Sequence, residues 1–192
     1  MGKLGFYFDQ SRCSGCRACQ TACKDRNDLP VGELFRHVTT YQSGTYPSAT
    51  MYHYSATCNH CENPACVAAC PVGAMYVDED TTVQHDDEKC IGCGACVATC
   101  PYQVPLIDED MGVARKCDAC KPYRNAGENP VCVDACNMRC LEFGDVDELR
   151  ERHGEGLVSD LPILPSSDLT SPATLITPKT AALEEEFEEV LL

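Results

Sequence analysis

Apolar and polar positions alternate along this chain in short bursts, and nowhere does a long helical period take hold. Residues 4–8 (Leu-Gly-Phe-Tyr-Phe) and 51–55 (Met-Tyr-His-Tyr-Ser) are rich in aromatic side chains and predict strands. Ala-rich stretches at 18–23, 65–69, 95–99 and 133–135 are long enough for one or two helical turns each. Short strands are expected at 75–77, 82–84, 106–107 and 113–115. Asp145, with Glu148 three residues on and Gly154 beyond, predicts a capped helix. The elements are mixed, short and weakly periodic, which indicates an α+β fold that cannot form from local preference alone.

The pattern changes after residue 150. Pro162, Pro165, Pro172 and Pro178 favour extended chain, yet Leu161, Ile163, Leu164, Leu169, Leu175 and Ile176 need cover. Residues 151–192 are therefore expected to be an extended arm docked on a partner subunit rather than folded onto the body. Residues 181–192 suggest a helix with Leu183, Phe187, Val190 and Leu191 on one side. The run Glu184-Glu185-Glu186 reads as a solvated face.

Composition sharpens the picture. Cys occurs 17 times in 192 residues, while Phe and Trp together supply five. A core this poor in large rings needs cross-links or metal. The net charge of −15 argues against a nucleic-acid partner, since phosphate binding needs a basic face. No apolar run is long enough to span a membrane, and Met1-Gly2-Lys3-Leu4-Gly5-Phe6 lacks the features of a secretory signal. No nucleophile–base pair, phosphate loop or dinucleotide fingerprint is present, so the chain is expected not to be catalytic by itself.

Sixteen of the cysteines fall into four groups: Cys13, Cys16, Cys19, Cys23; Cys58, Cys61, Cys66, Cys70; Cys90, Cys93, Cys96, Cys100; and Cys117, Cys120, Cys132, Cys136. Cys140 is left over. An odd count speaks against a disulfide framework. Zinc sites take two separated C-x-x-C pairs. Groups one and three instead read C-x-x-C-x-x-C-x-x-x-C, the run that wraps a [4Fe–4S] cubane, and groups two and three end in Cys70-Pro71 and Cys100-Pro101. The pattern resembles that of two-cluster ferredoxins, in which the fourth Cys of each run serves the other cluster. Groups two and three lie close in sequence and form an inner pair, leaving groups one and four as an outer bracket. Exchanging the fourth ligand within each pair gives four [4Fe–4S] sites. The first is Cys13, Cys16, Cys19 and Cys136. The second is Cys23, Cys117, Cys120 and Cys132. The third is Cys58, Cys61, Cys66 and Cys100. The fourth is Cys70, Cys90, Cys93 and Cys96. The implied domains are an outer ferredoxin module (1–55 and 110–150), an inner ferredoxin module (56–109) and the tail (151–192).

The segments GFYFDQSRCSGCRACQTACKDRNDL, CNHCENPACVAACPVGAM, CIGCGACVATCPYQVP, RKCDAC and LEFGDVDELRERHG carry a broader likeness. Over about residues 4–180 the chain resembles the four-cluster iron–sulfur subunits of membrane-associated molybdopterin oxidoreductases, of the dimethyl sulfoxide reductase type. The resemblance implies an electron-transfer subunit of two interleaved ferredoxin-like modules. It implies a molybdopterin-containing catalytic partner and a quinol-linked membrane anchor. It also implies a place at the periphery of the cytoplasmic membrane, on the extracytoplasmic face by co-export with the partner, the alternative being cytoplasmic. Two departures stand out: Asn137 rather than Pro follows Cys136, and Cys140 occupies a position where the family has a small residue. A register ending on Cys136 and Cys140 is the alternative. The family spacing from Cys120 through Cys132 to Cys136 favours the sets above, with Cys140 a small buried residue near a cluster. Cys93 is present where some relatives carry an aromatic residue and a three-iron cluster, so four cubanes are expected.

Other polar residues read more plainly. His60, between Cys58 and Cys61, is expected to hydrogen-bond behind the ligands. His37, His53, His85 and His153 share no ligand spacing. Tyr102 is read as packing over a cluster. Arg12, Arg17, Arg115 and Lys116 flank ligand loops, where cations raise a cluster's potential, the alternative being ordinary surface charges, and Asp86, Asp87 and Glu88 are read as a solvated turn. Two competing functions remain: a free polyferredoxin, against which an apolar docking arm argues, or a structural metal-binding scaffold.

Overall fold

The structure is a computed structural model and describes residues 2–191. The chain folds in the order β1 (Leu4–Asp9), α1 (Ala18–Arg26), β2 (His37–Ser43), β3 (Thr50–Ala56), α2 (Ala65–Ala68), β4 (Met75–Val77), β5 (Val83–His85) and α3 (Ala95–Thr99). It continues with β6 (Leu106–Asp108), β7 (Val113–Arg115), α4 (Lys121–Asn125), α5 (Val131–Asp134), β8 (Leu141–Asp145), α6 (Val146–His153), β9 (Thr174–Thr177) and β10 (Phe187–Val190). The α+β expectation holds, with mixed small sheets and short helices.

Two three-stranded sheets frame the molecule, ordered β8-β1-β9 and β10-β2-β3, and two hairpins, β4-β5 and β6-β7, complete it. Strand β1 is central in its sheet, antiparallel to β8 (Phe6 opposite Phe143) and parallel to β9 (Phe8 opposite Ile176). Its alternation explains the layering. Phe6 and Phe8 point into the main core with Val38, Tyr52, Tyr54, Leu141 and Leu161, while Tyr7 points the other way onto Leu149 of α6 and Leu175. Helix α6 starts as its sequence requires, with the Asp145 carboxylate accepting the backbone N–H groups of Asp147 and Glu148, and Gly154 closes it at φ +76°.

The tail departs from expectation. Residues 151–192 are not an arm held off the body. Val158 bridges to Ile176, β9 completes the first sheet, and β10 pairs with β2. Leu161, Ala173, Leu175, Ile176 and Ala182 are buried within this chain. The prolines fall between these contacts, at Pro162, Pro165, Pro172 and Pro178, where the chain turns from one strand to the next. The expected helix at 181–192 is instead a short 3₁₀ turn, Thr180–Leu183, followed by β10, with residue 192 outside the described residues. The aliphatic side chains needed cover, and this chain's own sheets provide it.

Candidate iron–sulfur centres

Each cysteine group begins with the same backbone turn. The residue before the second Cys has positive φ in all four groups: Gly15 (+68°), His60 (+43°), Gly92 (+65°) and Ala119 (+52°). This left-handed step curls the loop so that consecutive thiols face one point. At Gly92 no side chain is possible, since a Cβ would stand 2.3 Å from the carbonyl oxygen of Gly112. After the loop the chain enters a short helix carrying the third Cys: Cys19 in α1, Cys66 in α2, Cys96 in α3 and Cys132 in α5. Groups two and four share a further repeat, Glu-Asn-Pro-x-Cys-Val-x-Ala-Cys, at residues 62–70 and 128–136. Pro64 and Pro130 cap α2 and α5 in extended conformation. The repeat makes Cys136 the counterpart of Cys70. Helix α1 packs on α5, and α2 packs on α3, so the groups meet as outer and inner pairs.

Two cavities are each lined by thiols of two cysteine groups. The first is lined by Cys13, Cys16, Cys19, Cys136 and Cys140, with Phe8, Val38 and Leu141 closing it. The second is lined by Cys58, Cys61, Cys66 and Cys100, with Tyr102, Lys116 and Thr170. Cys23 lies beside Cys117, Cys132 and Cys120, and Cys96 lies beside Cys90 and Cys70. Cys93 is exposed at the end of its loop. Among the described residues no three His, Cys, Asp or Glu side chains converge tightly enough for a single metal ion. Thiols gathered in fours and fives without converging on one point suit a cubane rather than a single ion, and sulfur is the donor such a cluster requires.

Burial and mutual crowding hold most of these thiols in their neutral form. Burial, then neighbouring sulfurs, pushes Cys23 up, and burial lifts Cys66 to about 12 and Cys61 and Cys120 to about 11. Cys13 falls to about 7 because it accepts a hydrogen bond from Cys140. Backbone N–H groups already point at several sulfurs: Ala74 and Met75 donate to Cys70 (3.1 and 3.4 Å), Ala114 to Cys90 and Ala119 to Cys117 (3.4 Å each). Cys140 donates its own N–H to Cys136 Sγ at 3.4 Å, and the two sulfurs are 3.4 Å apart. The leftover cysteine thus sits in the wall of the first cavity, buried as expected, and supplies a donor to Cys136.

Around the thiols the expected polar residues separate by role. His60 is fully buried; its Nδ1 accepts the Val83 N–H at 3.1 Å, and Nε2 faces Cys117 Sγ at 4.0 Å. Tyr102 lies in the wall of the second cavity. Lys116 is buried there too, with Nζ donating to the carbonyls of Val83 and of Cys117 (2.9 Å for the latter). Arg17 lines the first cavity, whereas Arg12 is exposed. Arg115 pairs with Asp108 at 2.8 Å and serves the fold. His53 hydrogen-bonds Thr40, His85 pairs with Asp87, His153 stacks on Tyr7, and His37 is exposed. Asp86 accepts the N–H groups of Glu88 and Lys89 in a turn. Sequence reasoning missed Arg36, fully buried behind the first and fourth groups. A single basic residue ahead of an alternating strand carries no signal of its own.

The tail covers the second group. Glu62 and Asn63 donate backbone N–H to the carbonyls of Ser171 and Thr170, Ala173 donates to the carbonyl of Asn59, and Thr174 Oγ1 donates to Asn59 Oδ1 at 2.8 Å.

Comparison with known proteins agrees with this geometry. Residues 49–146 match the 4Fe-4S dicluster domain family, and residues 10–32 match a 4Fe-4S binding domain. The chain is 42% identical over 184 residues to the B subunit of the anaerobic dimethyl sulfoxide reductase of Escherichia coli, covering 92% of this chain and 89% of that one. It is 36% identical to the B subunit of the polysulfide reductase of Wolinella succinogenes (92% and 94% covered) and 43% identical to the thiosulfate reductase electron transfer subunit PhsB of Salmonella typhi (73% and 74% covered). With its repeated thiol loops and these relatives, the chain belongs to the family of four-cluster [4Fe–4S] electron-transfer subunits of molybdopterin oxidoreductases.

Proposed function

We propose that the sixteen cysteines form four cross-paired ligand sets in two interleaved ferredoxin-like modules. The first centre takes Cys13, Cys16, Cys19 and Cys136; the second takes Cys23, Cys117, Cys120 and Cys132. The third takes Cys58, Cys61, Cys66 and Cys100; the fourth takes Cys70, Cys90, Cys93 and Cys96. The observation that carries the reading is the pair of thiol-lined cavities, each holding three cysteines of one group and the last cysteine of its partner group, with Cys140 also in the wall of the first. The Asn-Pro-x-Cys repeat supports Cys136 over the register that ends on Cys140.

The chain is an electron-transfer subunit and supplies no catalytic group of its own. Bound clusters provide one-electron redox chemistry at each site. The protein's own residues hold the sulfurs, exclude water and place N–H donors and cations near them, which sets each potential. We place the chain between a molybdopterin catalytic subunit and a quinol-linked membrane anchor, at the membrane periphery on the extracytoplasmic side. Among the described residues no helix is long and apolar enough to cross a membrane, so this placement needs a separate anchor. Burial of the tail within the body removes the docking arm as an argument against a free polyferredoxin; the likeness to reductase subunits favours the complex.

Anaerobically prepared protein should contain about sixteen irons, as four cubanes. About eight irons, or a persistent three-iron signal in electron paramagnetic resonance, would overturn the four sets.

A further inference from the structure

Arg36 heads the largest fully buried side chains of the described residues. It stands immediately ahead of β2, and a guanidinium stays charged at any pH the protein meets. One nitrogen is satisfied: Nη1 donates to the carbonyl oxygen of Ser55 at 3.1 Å and to its Oγ at 3.0 Å. The guanidinium lies over the Phe6 ring at 4.8 Å. Nε and Nη2 make no hydrogen bond to any oxygen or nitrogen. Ser55 Oγ, which Nη1 contacts, stands in turn 3.5 Å from Cys19 Sγ, and the sulfurs of Cys132, Cys19, Cys117 and Cys23 are the groups that act on the guanidinium most strongly. Cys132 is within hydrogen-bonding reach.

A buried charge with open donors and no counter-charge is strongly destabilising, so its retention requires an anion in the finished protein. Neutral thiols do not meet that need. A [4Fe–4S] cluster with four thiolate ligands does, since it carries about −2 when oxidised and gains one more negative charge on reduction. Cys19 belongs to the first ligand set, whereas Cys23, Cys117 and Cys132 belong to the second.

We propose that Arg36 is a fixed counter-charge shared by the first and second centres, raising the reduction potential of both and of the second more. The inference rests on the ligand sets proposed above. It makes Arg36 a positioning and tuning residue. Its position fixes where along the chain an added electron is most stable. Lys116, also buried, holds a comparable place beside Cys66 of the third set, so the third centre has a cation of its own.

The test is a redox titration of the cluster-loaded protein followed by paramagnetic resonance, with iron analysis of each sample. Arg36→Gln keeps the polar reach and removes the charge; Arg36→Lys keeps the charge. In Arg36→Gln the second centre should become at least about tenfold harder to reduce, which is about 59 mV for a one-electron couple. The first centre should move less, and the fourth not at all. Arg36→Lys should recover most of the shift. Unchanged midpoints at full iron in Arg36→Gln would overturn the role of Arg36 while leaving the ligand sets intact. If Arg36→Gln loses iron, the Lys variant decides: full iron with near-native midpoints supports the counter-charge, and loss of the first and second clusters in both variants makes Arg36 a packing element only. A native iron content near eight would instead sink the ligand sets themselves.

Discussion

His60 Nε2 stands 4.0 Å from Cys117 Sγ, although the two residues belong to different cysteine groups. Because Nδ1 accepts the Val83 N–H, the ring proton sits on Nε2 and faces the sulfur. Burial, then the nearby Lys116, keeps the imidazole neutral. One side chain thus starts in the Cys58 loop and ends facing a sulfur of the fourth cysteine group, which in the proposed sets links the second and third centres.

Replacing His60 with Asn tests that contact. Asn tolerates the left-handed backbone there, and its carbonyl can stand in for Nδ1, but it does not reach Cys117. The second centre should become harder to reduce, by up to about tenfold, because it loses a hydrogen bond to sulfur. Iron content should stay full. A redox titration with unchanged second-centre midpoint would show that the 4.0 Å approach has no electrostatic consequence.

Cys136→Ser should damage the first centre, whereas Cys140→Ser should leave four clusters. Cys136 receives an N–H donor and matches Cys70 in the repeat; Cys140 supplies that donor from its backbone, which Ser retains. Iron analysis and paramagnetic resonance on both variants decide the matter. The reverse pattern would establish the register ending on Cys140.

Truncation before Leu161 should abolish folding or strip iron, since it deletes β9, β10 and the cover over the Cys58 loop. A milder probe is Ile176→Ala. Ile176 is 1% exposed and sits between Phe8 and Val158. Its loss should cost about 2–5 kcal/mol, read from denaturant-induced cluster release. A truncated chain retaining all its iron would contradict the observed pairing of the tail.

Asp80 offers a pH-defined test away from the sulfurs. Its carboxylate accepts from Thr82 N (2.9 Å) and pairs with Arg124 at 2.8 Å, tying the β4–β5 turn to α4. Despite partial burial, which opposes ionisation, these bonds hold it at about 2, below its ordinary 3.8. A depressed carboxylate stabilises the fold fully above its unfolded pKa and loses that contribution as pH falls toward the folded value. Asp80→Asn should therefore cost about 1–3 kcal/mol, and the deficit should be flat from about pH 5 to 8 because both pKa values lie below that window. A deficit that grows steadily with pH across that range would show that the folded carboxylate is not held low.

The amino-acid sequence alone determined the chemistry. Cysteine spacing is a local property, and a thiol loop that wraps a cubane needs only two-residue gaps and a left-handed step. The four groups and the short helices at 65–68 and 95–99 were legible for that reason, and so was the Asp145 cap. Strands β2 and β8 and helix α4 were not anticipated, because strand pairing with distant residues and metal-loop geometry stabilise them rather than local propensity. Tertiary structure alone decided the tail. Its aliphatic residues announced a need for cover, but composition does not say whether a partner or the chain's own sheets provide it; pairing of β9 with β1 and β10 with β2 does. Arg36 shows the same limit. Its sequence neighbours are ordinary, and only folding brings Cys19, Cys23, Cys117 and Cys132 around one guanidinium, because electrostatics acts through space and not along the chain.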